Sequence, residues 1–368
     1  MKYNWQQPDW LRFNFDTSKI EDFLYDFTEK AGLIRGLLTS VPQKAQEEAL
    51  VEVLVSEAVK TSEIENEYLS REDVTSSIRN NLGLVVPHEK VKDSRAKGIG
   101  QMMTEIRRTY HLPLMEETLM QWHRMIFAGQ SNIETGKWRT HTAPIQVISG
   151  AIGSEKVHFE APPSVEVPKQ MGAFIRWLNN TSPQGTKPIK HAPIRAAIAH
   201  LYFETIHPFE DGNGRIGRAI ADKTLSQSVG YPLLMSLSAT IEKNKKAYYT
   251  ELKKAQRSNE ITPWLIYFLQ VILEAQQQAE NLVHFTLKKA RFFDLHQDQL
   301  NERQLKTIKR IFQAGPEGFQ GGMTAKKHMH INKTSKATAT RDLQKLERLG
   351  ILTAQGGGRS THYGLTGV

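Results

Sequence analysis

Twelve consecutive residues near the middle of the chain combine side chains that can handle phosphate and protons. They run from His207 to Arg218 and read His-Pro-Phe-Glu-Asp-Gly-Asn-Gly-Arg-Ile-Gly-Arg. A helix is predicted to end before Pro208 and a second helix to begin at Arg215. Backbone N–H groups at a helix start lack intrahelical partners and lie at the positive end of the helix dipole, so this turn can bind an anion.

Several residues of this segment suit a site that holds a chain of phosphates. Gly212 and Gly214 allow the backbone to come close to an anion. Arg215 and Arg218 lie three positions apart on one face of the second helix, where both guanidinium groups can fork onto phosphate oxygens. Asp211 precedes the turn and can hold a hard cation such as Mg2+ against those oxygens.

His207 can act as a general base, because an imidazole with the usual pKa of about 6.5 can be neutral at pH 7. A different use of the same residue is a metal site. His200, Glu204 and His207 fall at i, i+4 and i+7 on one face of the preceding helix, a spacing that could present three ligands to one ion. Hydrogen bonding to neighbouring groups is the other role open to His200 and Glu204.

Two further alternatives concern the turn itself. Asp-Gly-Asn-Gly also occurs at the centre of calcium-binding EF-hand loops, but that alignment puts Phe209 at position 1 and Ile220 at position 12, where carboxylates are needed. The other alternative is a plain tight turn with solvated arginines. It leaves His207 and the arginine pair without a role.

The elements that would position these residues are predicted to be mainly helical. Apolar residues recur at helical spacing in the stretches 45–69, 113–127, 165–178 and 192–206. Residues 138–160 differ, because their β-branched residues and glycines predict a hairpin. Thr262-Pro263 begins a buried helix. Trp5, Trp10, Phe13 and Phe15 indicate an aromatic N-terminal segment that packs on the body of the protein.

Composition excludes several classes of protein. The chain has no cysteine, which rules out disulfides, thiolate metal sites and cysteine nucleophiles. The longest apolar run, 264–273, is too short to span a bilayer, and the first residues lack the apolar core of a signal peptide. We therefore expect a cytoplasmic protein without membrane contact.

The net charge of +9 is concentrated at the C-terminus, where residues 301–368 hold twelve Lys or Arg and four Asp or Glu. Their pattern of three short helices and two strands around a glycine tip resembles a winged helix-turn-helix, which implies a recognition helix within 334–348. The alternative is a docking surface for protein, including a homodimer contact. The candidate DNA-binding residues are Lys333, Thr334, Ser335, Lys336, Thr338, Arg341 and, on the wing, Arg359.

The segment from His207 to Arg218 matches the signature HPFx(D/E)GNGRxxR without a departure, so the chain resembles the Fic family. The similarity extends upstream through Gly136, Lys137, Trp138 and Arg139 to the predicted hairpin, which looks like the flap that holds the target segment in that family. It covers about residues 112–275.

The resemblance implies a protein adenylyltransferase that uses ATP and Mg2+. His207 would deprotonate a Ser, Thr or Tyr hydroxyl of a target protein, including the chain itself, and Asp211 would bind Mg2+ between the α- and β-phosphates. Of the two arginines, the first would contact the β-phosphate and the second the γ-phosphate. The nucleotide-binding residues implied in this way are Asp211, Gly212, Asn213, Gly214, Arg215 and Arg218.

An inhibitory element is also implied. The string from Thr61 to Asn66 fits the family pattern (S/T)xxxE(G/N), in which the glutamate, here Glu65, pairs with the second arginine of the signature. The pair would occupy the seat of the γ-phosphate. Taken alone, a glutamate on the predicted helix 45–69 indicates only a solvated helix face.

Together these features predict a mainly all-α protein: a Fic helical core with a small β-hairpin flap and a C-terminal winged helix-turn-helix. The expected parts are an N-terminal helical region with the inhibitory helix (1–95), a catalytic domain (96–285), a linker helix (286–300) and the winged helix (301–368). The alternatives are a nucleotide-sensing, DNA-binding transcriptional regulator, a Fic enzyme with another nucleotide donor, and one that removes AMP.

Overall fold

The computed structural model describes residues 2–131, 133–142, 146–149, 156–315 and 318–366, and the side chains of 146–149, 156–158 and 359 lie outside that description. The described chain is mainly helical, as predicted. Its helices are α1 (Glu21–Thr39), α2 (Gln43–Ile64), α3 (Arg71–Asn81), α4 (Ser94–Arg108), α5 (Glu116–Ile126), α6 (Val167–Asn180), α7 (Ala192–Ile206), α8 (Asn213–Val229), α9 (Leu237–Lys243), α10 (Lys245–Ala255), α11 (Thr262–His296), α12 (Glu302–Phe312), α13 (Ala325–Asn332) and α14 (Lys336–Arg348).

The strands form two small antiparallel sheets. In the first, β1 (Gln146–Ser149) pairs with β2 (Lys156–Glu160), with an irregular register between Val147 and Ile148. This is the predicted hairpin, although its tip lies outside the described residues. In the second, β3 (Leu352–Gln355) pairs with β4 (His362–Leu365).

The chain divides into two compact units. The first comprises the chain up to Leu33 together with Leu50–Ala279, and the second comprises Ile34–Ala49 and the chain from Glu280 onward. The four-part division predicted from the sequence stays a prediction. Of the predicted linker helix 286–300, residues 286–296 are the end of a longer helix, because α11 runs without a break from Thr262 to His296.

Helix α7 lies at the centre of the first unit. All of its residues are buried, whereas its apolar spacing predicted only one buried face. Its polar side chains are accommodated by internal partners. Arg195, for example, donates to the carbonyl oxygen of Leu178 (2.7 Å), to Gln227 and to Ser228. Burial on all sides makes α7 a fixed support for the residues that follow it.

Helix α2 ends at Ile64, five residues before the end predicted from apolar spacing. The next residues turn, and Asn66 adopts a left-handed conformation (φ 61°). Asparagine tolerates this conformation better than most residues, and it commonly ends helices. Glu65 therefore lies in the turn after α2 and not on the helix itself.

The N-terminal aromatic residues pack within the first unit, as predicted. The indole N–H of Trp5 donates to the carbonyl oxygen of Glu160 at 2.8 Å. Trp10 meets Tyr202 of α7 edge to face, with ring centroids 5.5 Å apart. The segment thus contributes to the core around α7.

In the second unit, α12, α13 and α14 precede the β3–β4 sheet around a small apolar core that includes Ile308, Phe312, Leu343 and Tyr363. Asp342 at the edge of this core accepts hydrogen bonds from Arg303 (2.8 Å) and Asn301. The winged helix-turn-helix assignment stays a prediction. None of the helices in the described part of the chain combines the length and apolar character that crossing a bilayer requires.

Gly98 lies where α4 and α5 approach closely, because a Cβ there would overlap the carbonyl oxygen of Met125. We expect Gly98→Ala to lower the free energy of unfolding by about 1–3 kcal/mol through overpacking. Urea denaturation measures the change. Gly32→Ala is the control: this residue of α1 has open space around it, and alanine there should raise stability by about 0.5–1 kcal/mol. Equal effects at the two positions would contradict the close packing.

Candidate active site

The loop between α7 and α8 carries the segment that the sequence singles out. His207 follows α7 in a left-handed conformation (φ 51°, ψ 60°), and Pro208 prevents the helix from continuing. Gly212, with φ 80°, leads into α8, which begins at Asn213, two residues before the predicted start at Arg215. The N–H groups in the first turn of α8 have no intrahelical acceptor and are available to an anion.

The Asn213 side chain closes this loop. Its amide oxygen accepts from the backbone N–H of Phe209 (2.9 Å), and its amide nitrogen donates to the carbonyl oxygen of Phe209 (2.9 Å). The side chain is thus committed to fixing the loop. The backbone at Asn213 and Gly214 remains as the predicted phosphate cradle.

His123 on α5 contacts the loop and fixes it in place, a role that the sequence did not predict. Its ring stacks on Phe209 with centroids 4.1 Å apart. Nδ1 lies 2.9 Å from the backbone N–H of Gly136 and accepts from it, while Nε2 lies 3.2 Å from the carbonyl oxygen of Asp211. Burial lowers the pKa of His123 to about 4, so the ring is neutral and bridges two backbone segments.

His207 has the properties of a neutral base. Burial, followed by the nearby charge of Arg139, lowers its pKa to about 4, while a hydrogen bond to the backbone of Glu204 opposes that shift. The ring keeps 18% of its side-chain surface exposed, so a substrate can reach it. The Glu204 carboxylate lies 3.9 Å from Nδ1.

Arg215 and Arg218 are both buried, with 2% and 1% of their side chains exposed. Buried guanidinium groups normally use all their donors. Here Nε and Nη2 of Arg215 and Nη1 of Arg218 have no hydrogen-bond partner. These three donors lie in the first turn and a half of α8, which gives the predicted anion site positive charge with unused hydrogen-bonding capacity.

The predicted inhibitory residues meet Arg218. Nε of Arg218 donates to the Thr61 hydroxyl (2.8 Å), and Nη2 donates to the carbonyl oxygen of Thr61 (2.8 Å) and to Oε1 of Glu65 (2.9 Å). Burial disfavours the charge of Arg218, but the Glu65 carboxylate together with Tyr248 and Tyr249 outweighs burial and raises the pKa. Asn66 accepts a hydrogen bond from Lys245 at 2.9 Å.

Glu65 also lies against Gly214. A Cβ at that glycine would overlap Oε1 of Glu65. The carboxylate therefore occupies the space beside the first turn of α8, where the sequence predicts a phosphate. The Tyr249 hydroxyl donates to the other oxygen of Glu65 at 3.3 Å.

A second acid, Glu67, was missed by sequence reasoning. Its carboxylate accepts from Nη1 of Arg215 at 2.7 Å, and the guanidinium lies 4.7 Å above the Phe127 ring. No part of the inhibitory pattern includes position 67. The pairing of Glu67 with Arg215 depends on the left-handed turn at Asn66, which the apolar spacing does not predict.

Asp211 lies where a cation ligand is expected. Its side chain is 57% exposed and its Oδ1 is 3.8 Å from Arg215. This oxygen also accepts from the N–H of Gly212. Mg2+ takes oxygen ligands, usually one or two carboxylates together with phosphate oxygens and water, so the accessible carboxylate of Asp211 beside the predicted phosphate site fits such an ion.

The alternative metal site on α7 is not supported. His200 is fully buried against the rings of Trp264 and Phe268, and its Nε2 lies 2.8 Å from the Tyr248 hydroxyl. In the described ranges, no three His, Asp or Glu side chains are grouped to hold a metal. Glu204 is 5% exposed, and burial raises its pKa to about 8 against the pull of Arg218.

The candidate DNA-binding residues lie in the second unit at the start of α14. Lys333 has a left-handed conformation (φ 48°) after α13, Ser335 caps α14, and Lys336 is its first residue. These three side chains and that of Arg341 are exposed, whereas those of Thr334 and Thr338 are partly buried. The side chain of Arg359 lies outside the described residues.

Two family models match the chain: Fic/DOC over residues 113–225, and a domain of unknown function, DUF4172, over residues 3–84. Among curated proteins, protein adenylyltransferase fic-1 of Caenorhabditis briggsae is 27% identical over 157 residues, 43% of this chain and 27% of that protein. Protein adenylyltransferase Fic of Drosophila sechellia is 29% identical over 147 residues, 40% of this chain and 26% of that protein.

The chain thus spans about a quarter of the length of the curated relatives it matches. A solved structure, that of a Fic family protein from Desulfovibrio desulfuricans G20, is similar over 94% of this chain and 96% of that one. The TM-score is 0.52 and the sequence identity is 21%. This likeness concerns the fold.

The raised pKa of Glu204 predicts a pH-dependent contribution to stability. The folded state keeps this carboxyl protonated up to about pH 8, whereas the unfolded state releases the proton near its ordinary pKa of 4.5. Its contribution therefore falls as pH rises from about 4.5 to 8. Glu204→Gln removes this dependence, so the variant should gain on the wild type by up to about 1.4 kcal/mol per pH unit.

Urea denaturation of both proteins at several pH values between 5 and 8 measures this difference. Glu29→Gln, a change of an exposed acid within α1, is the control, and its difference from wild type should stay constant with pH. Parallel stability curves for wild type and Glu204→Gln would mean that Glu204 is ionised in the folded protein.

Proposed function

We propose that the chain, whose residues 113–225 match the Fic/DOC family model, is a protein adenylyltransferase, which transfers AMP from ATP to a Ser, Thr or Tyr hydroxyl of a target protein or of itself. One observation carries the proposal. Arg215 and Arg218 are buried at the start of α8 with unpartnered donors, beside a neutral histidine that solvent can reach. This arrangement suits a triphosphate and a hydroxyl nucleophile.

In the proposed reaction, His207 accepts the proton of the target hydroxyl, and the resulting oxygen attacks the α-phosphorus of ATP. A new O–P bond forms, the bond between the α-phosphorus and its bridging oxygen breaks, and pyrophosphate leaves. Arg215 holds the β-phosphate and Arg218 the γ-phosphate. Asp211 would hold Mg2+, which neutralises phosphate charge when bound. Positioning and electrostatic stabilisation supply most of the rate.

The described conformation is proposed to be inhibited. Glu65 lies against Gly214 and bonds to Arg218, where the γ-phosphate has to sit. Tyr249 donates to this acid, Lys245 donates to Asn66 in the same turn, and Thr61 accepts from Arg218 beside it. Glu67 occupies Arg215 in the same way. Productive binding of ATP then requires both carboxylates to leave, which lowers the fraction of competent molecules.

We expect Glu65→Gly to raise AMP transfer and His207→Ala to abolish it. If about 1% of wild-type molecules are open, release of Glu65 raises the rate by up to about 100-fold. Incorporation of radiolabel from α-labelled ATP into the chain and into added proteins measures the effect. The intact mass then identifies the added group, which for AMP transfer is one AMP less one water.

Glu63→Gly is the matched control, because it makes the same substitution near the end of α2 at a residue that pairs with Lys60 and not with Arg218. Its activity should equal that of the wild type. Equal activity of Glu65→Gly and Glu63→Gly would end the inhibitory proposal. Transfer by the His207→Ala variant would end the proposed role of the base.

Other outcomes of the mass measurement correspond to the alternatives. A different mass gain with a mixture of nucleotides indicates another donor. Loss of AMP from a modified protein indicates hydrolytic removal of AMP, with Glu65 assisting a water molecule. ATP binding without any transfer indicates a nucleotide-sensing regulator.

For the second unit we propose DNA binding, on the ground that Lys333, Lys336 and Arg341 are exposed on or next to the first turns of α14 in a strongly basic unit. Helix starts with basic side chains bind phosphate and present residues to base edges. Docking of a protein or a second copy of the chain through the same residues is the competing outcome.

Fluorescence anisotropy of the full chain with duplex DNA at two salt concentrations tests this proposal. Affinity should fall steeply with salt, and the variant with Lys336→Glu and Arg341→Glu should reduce the salt dependence by about two released ions. Lys97→Glu, an exposed charge reversal in the first unit, should bind with only a small change. Binding that is insensitive to the double substitution would contradict a DNA contact at α14.

A further inference from the structure

We propose that Arg139 is a positioning residue for the base of the reaction: it fixes the backbone of His207 at the end of α7. This inference rests on the proposed function for its catalytic meaning, but its structural core can be tested without any turnover. It concerns a residue that sequence reasoning assigned only to a stretch of family likeness.

Arg139 binds three successive carbonyl groups at the end of α7. Its Nη2 donates to Ile206 (3.3 Å), its Nε to His207 (2.8 Å) and its backbone N–H to Pro208 (3.0 Å). These carbonyl oxygens belong to the last residue of the helix and the two residues after it, where intrahelical donors run out. One side chain and one N–H group therefore cap the C-terminus of α7.

The other end of the guanidinium is held just as firmly. Nη1 donates to the Ser164 hydroxyl (2.8 Å) and Nη2 to the carbonyl oxygen of Pro162 (2.5 Å). Arg139 is 2% exposed. A buried, planar group with four bonded acceptors in fixed directions cannot rotate, so the carbonyl groups it binds cannot rotate either.

The conformation of His207 needs this support. A residue with a Cβ in the left-handed region (φ 51°) is strained, at a cost of about 1–2 kcal/mol. The strain turns the imidazole away from the direction that a continuing helix would give it. Bonds from Arg139 to the carbonyl groups before, at and after the strained position hold that turn in place.

The acceptors of Arg139 are neutral oxygens, so its positive charge acts on its surroundings undiminished by a bonded carboxylate. The charges that act on His207 are those of Arg139, of Glu65 after α2 and of Asp211 in the loop, whereas the neighbouring Glu204 keeps its proton and contributes a backbone hydrogen bond. The acids favour the protonated imidazole and Arg139 opposes it. Arg139 thus offsets the acids that surround the base.

Two variants separate these effects. Arg139→Gln removes the charge and part of the fork. Arg139→Lys keeps the charge but cannot bind several carbonyl groups in fixed directions. Histidine-selective isotope labelling gives the titration of His207 by NMR, with the signal assigned by its absence in His207→Ala. The control is Arg79→Gln, which changes an exposed arginine of α3.

We expect the pKa of His207 to rise by about one pH unit in Arg139→Gln and to stay near the wild-type value in Arg139→Lys and Arg79→Gln. In the Glu65→Gly background, both Arg139 variants should lower kcat by about 10- to 100-fold with KM for ATP unchanged. The acid limb of the rate profile should move to higher pH only for Arg139→Gln.

A His207 titration that is unchanged in a folded Arg139→Gln protein would overturn the electrostatic part of the inference. If that variant does not fold, Arg139→Lys is the test, because an unchanged kcat in this variant would contradict the proposal that the guanidinium group positions His207. Absence of AMP transfer in all proteins together with the expected NMR shift would instead contradict the proposed function and leave the role of Arg139 intact.

Discussion

Two guanidinium groups buried at the start of one helix impose the central constraint on this structure. Arg215 and Arg218 cannot stay charged inside the protein without negative charge close by. In the described conformation Glu67 and Glu65 supply that charge. A bound triphosphate could supply it instead. The site therefore has two mutually exclusive ways of satisfying the same electrostatic requirement, and the choice between them would decide whether it is active.

The loop around this corner is fixed by groups that do not bind substrate. Asn213 ties the two ends of the turn, His123 holds Asp211, and Arg139 holds His207. His123 and Arg139 also connect the loop to the segment that leads into β1. The proposed base and the proposed cation ligand on the same short loop thus keep their separation by two independent supports, and fixed positions of this kind favour the proposed transfer at phosphorus.

Much of this could be predicted from the sequence, because the chemistry of the segment from His207 to Arg218 is local. Spacing placed the two arginines on one face and the glycines at the turn. Contacts made by distant residues could not be predicted. His123 and Glu67 meet the site only through folding, and neither stands out by type in its own neighbourhood.

The predicted end of α2 and the predicted exposure of α7 were wrong, and each error has a physical reason. Apolar spacing carried α2 past Ile64, because spacing does not register the left-handed turn at Asn66. The same method gave α7 one buried face, since the polar residues Arg195, His200 and Glu204 look solvated in sequence. Internal partners for His200 and Arg195 make their burial tolerable, and for Glu204 a retained proton does so.

The position of Gly214 limits where a substitution could raise the proposed activity. A side chain at this position would collide with the carboxylate of Glu65, and it would obstruct an incoming phosphate in the same place. Substitutions at Gly214 would therefore impair both the inhibited state with Glu65 bound and the proposed state with phosphate bound. Substitutions that raise activity are expected instead in the turn after α2, or at Lys245 and Tyr249 of α10, which hydrogen-bond to that turn.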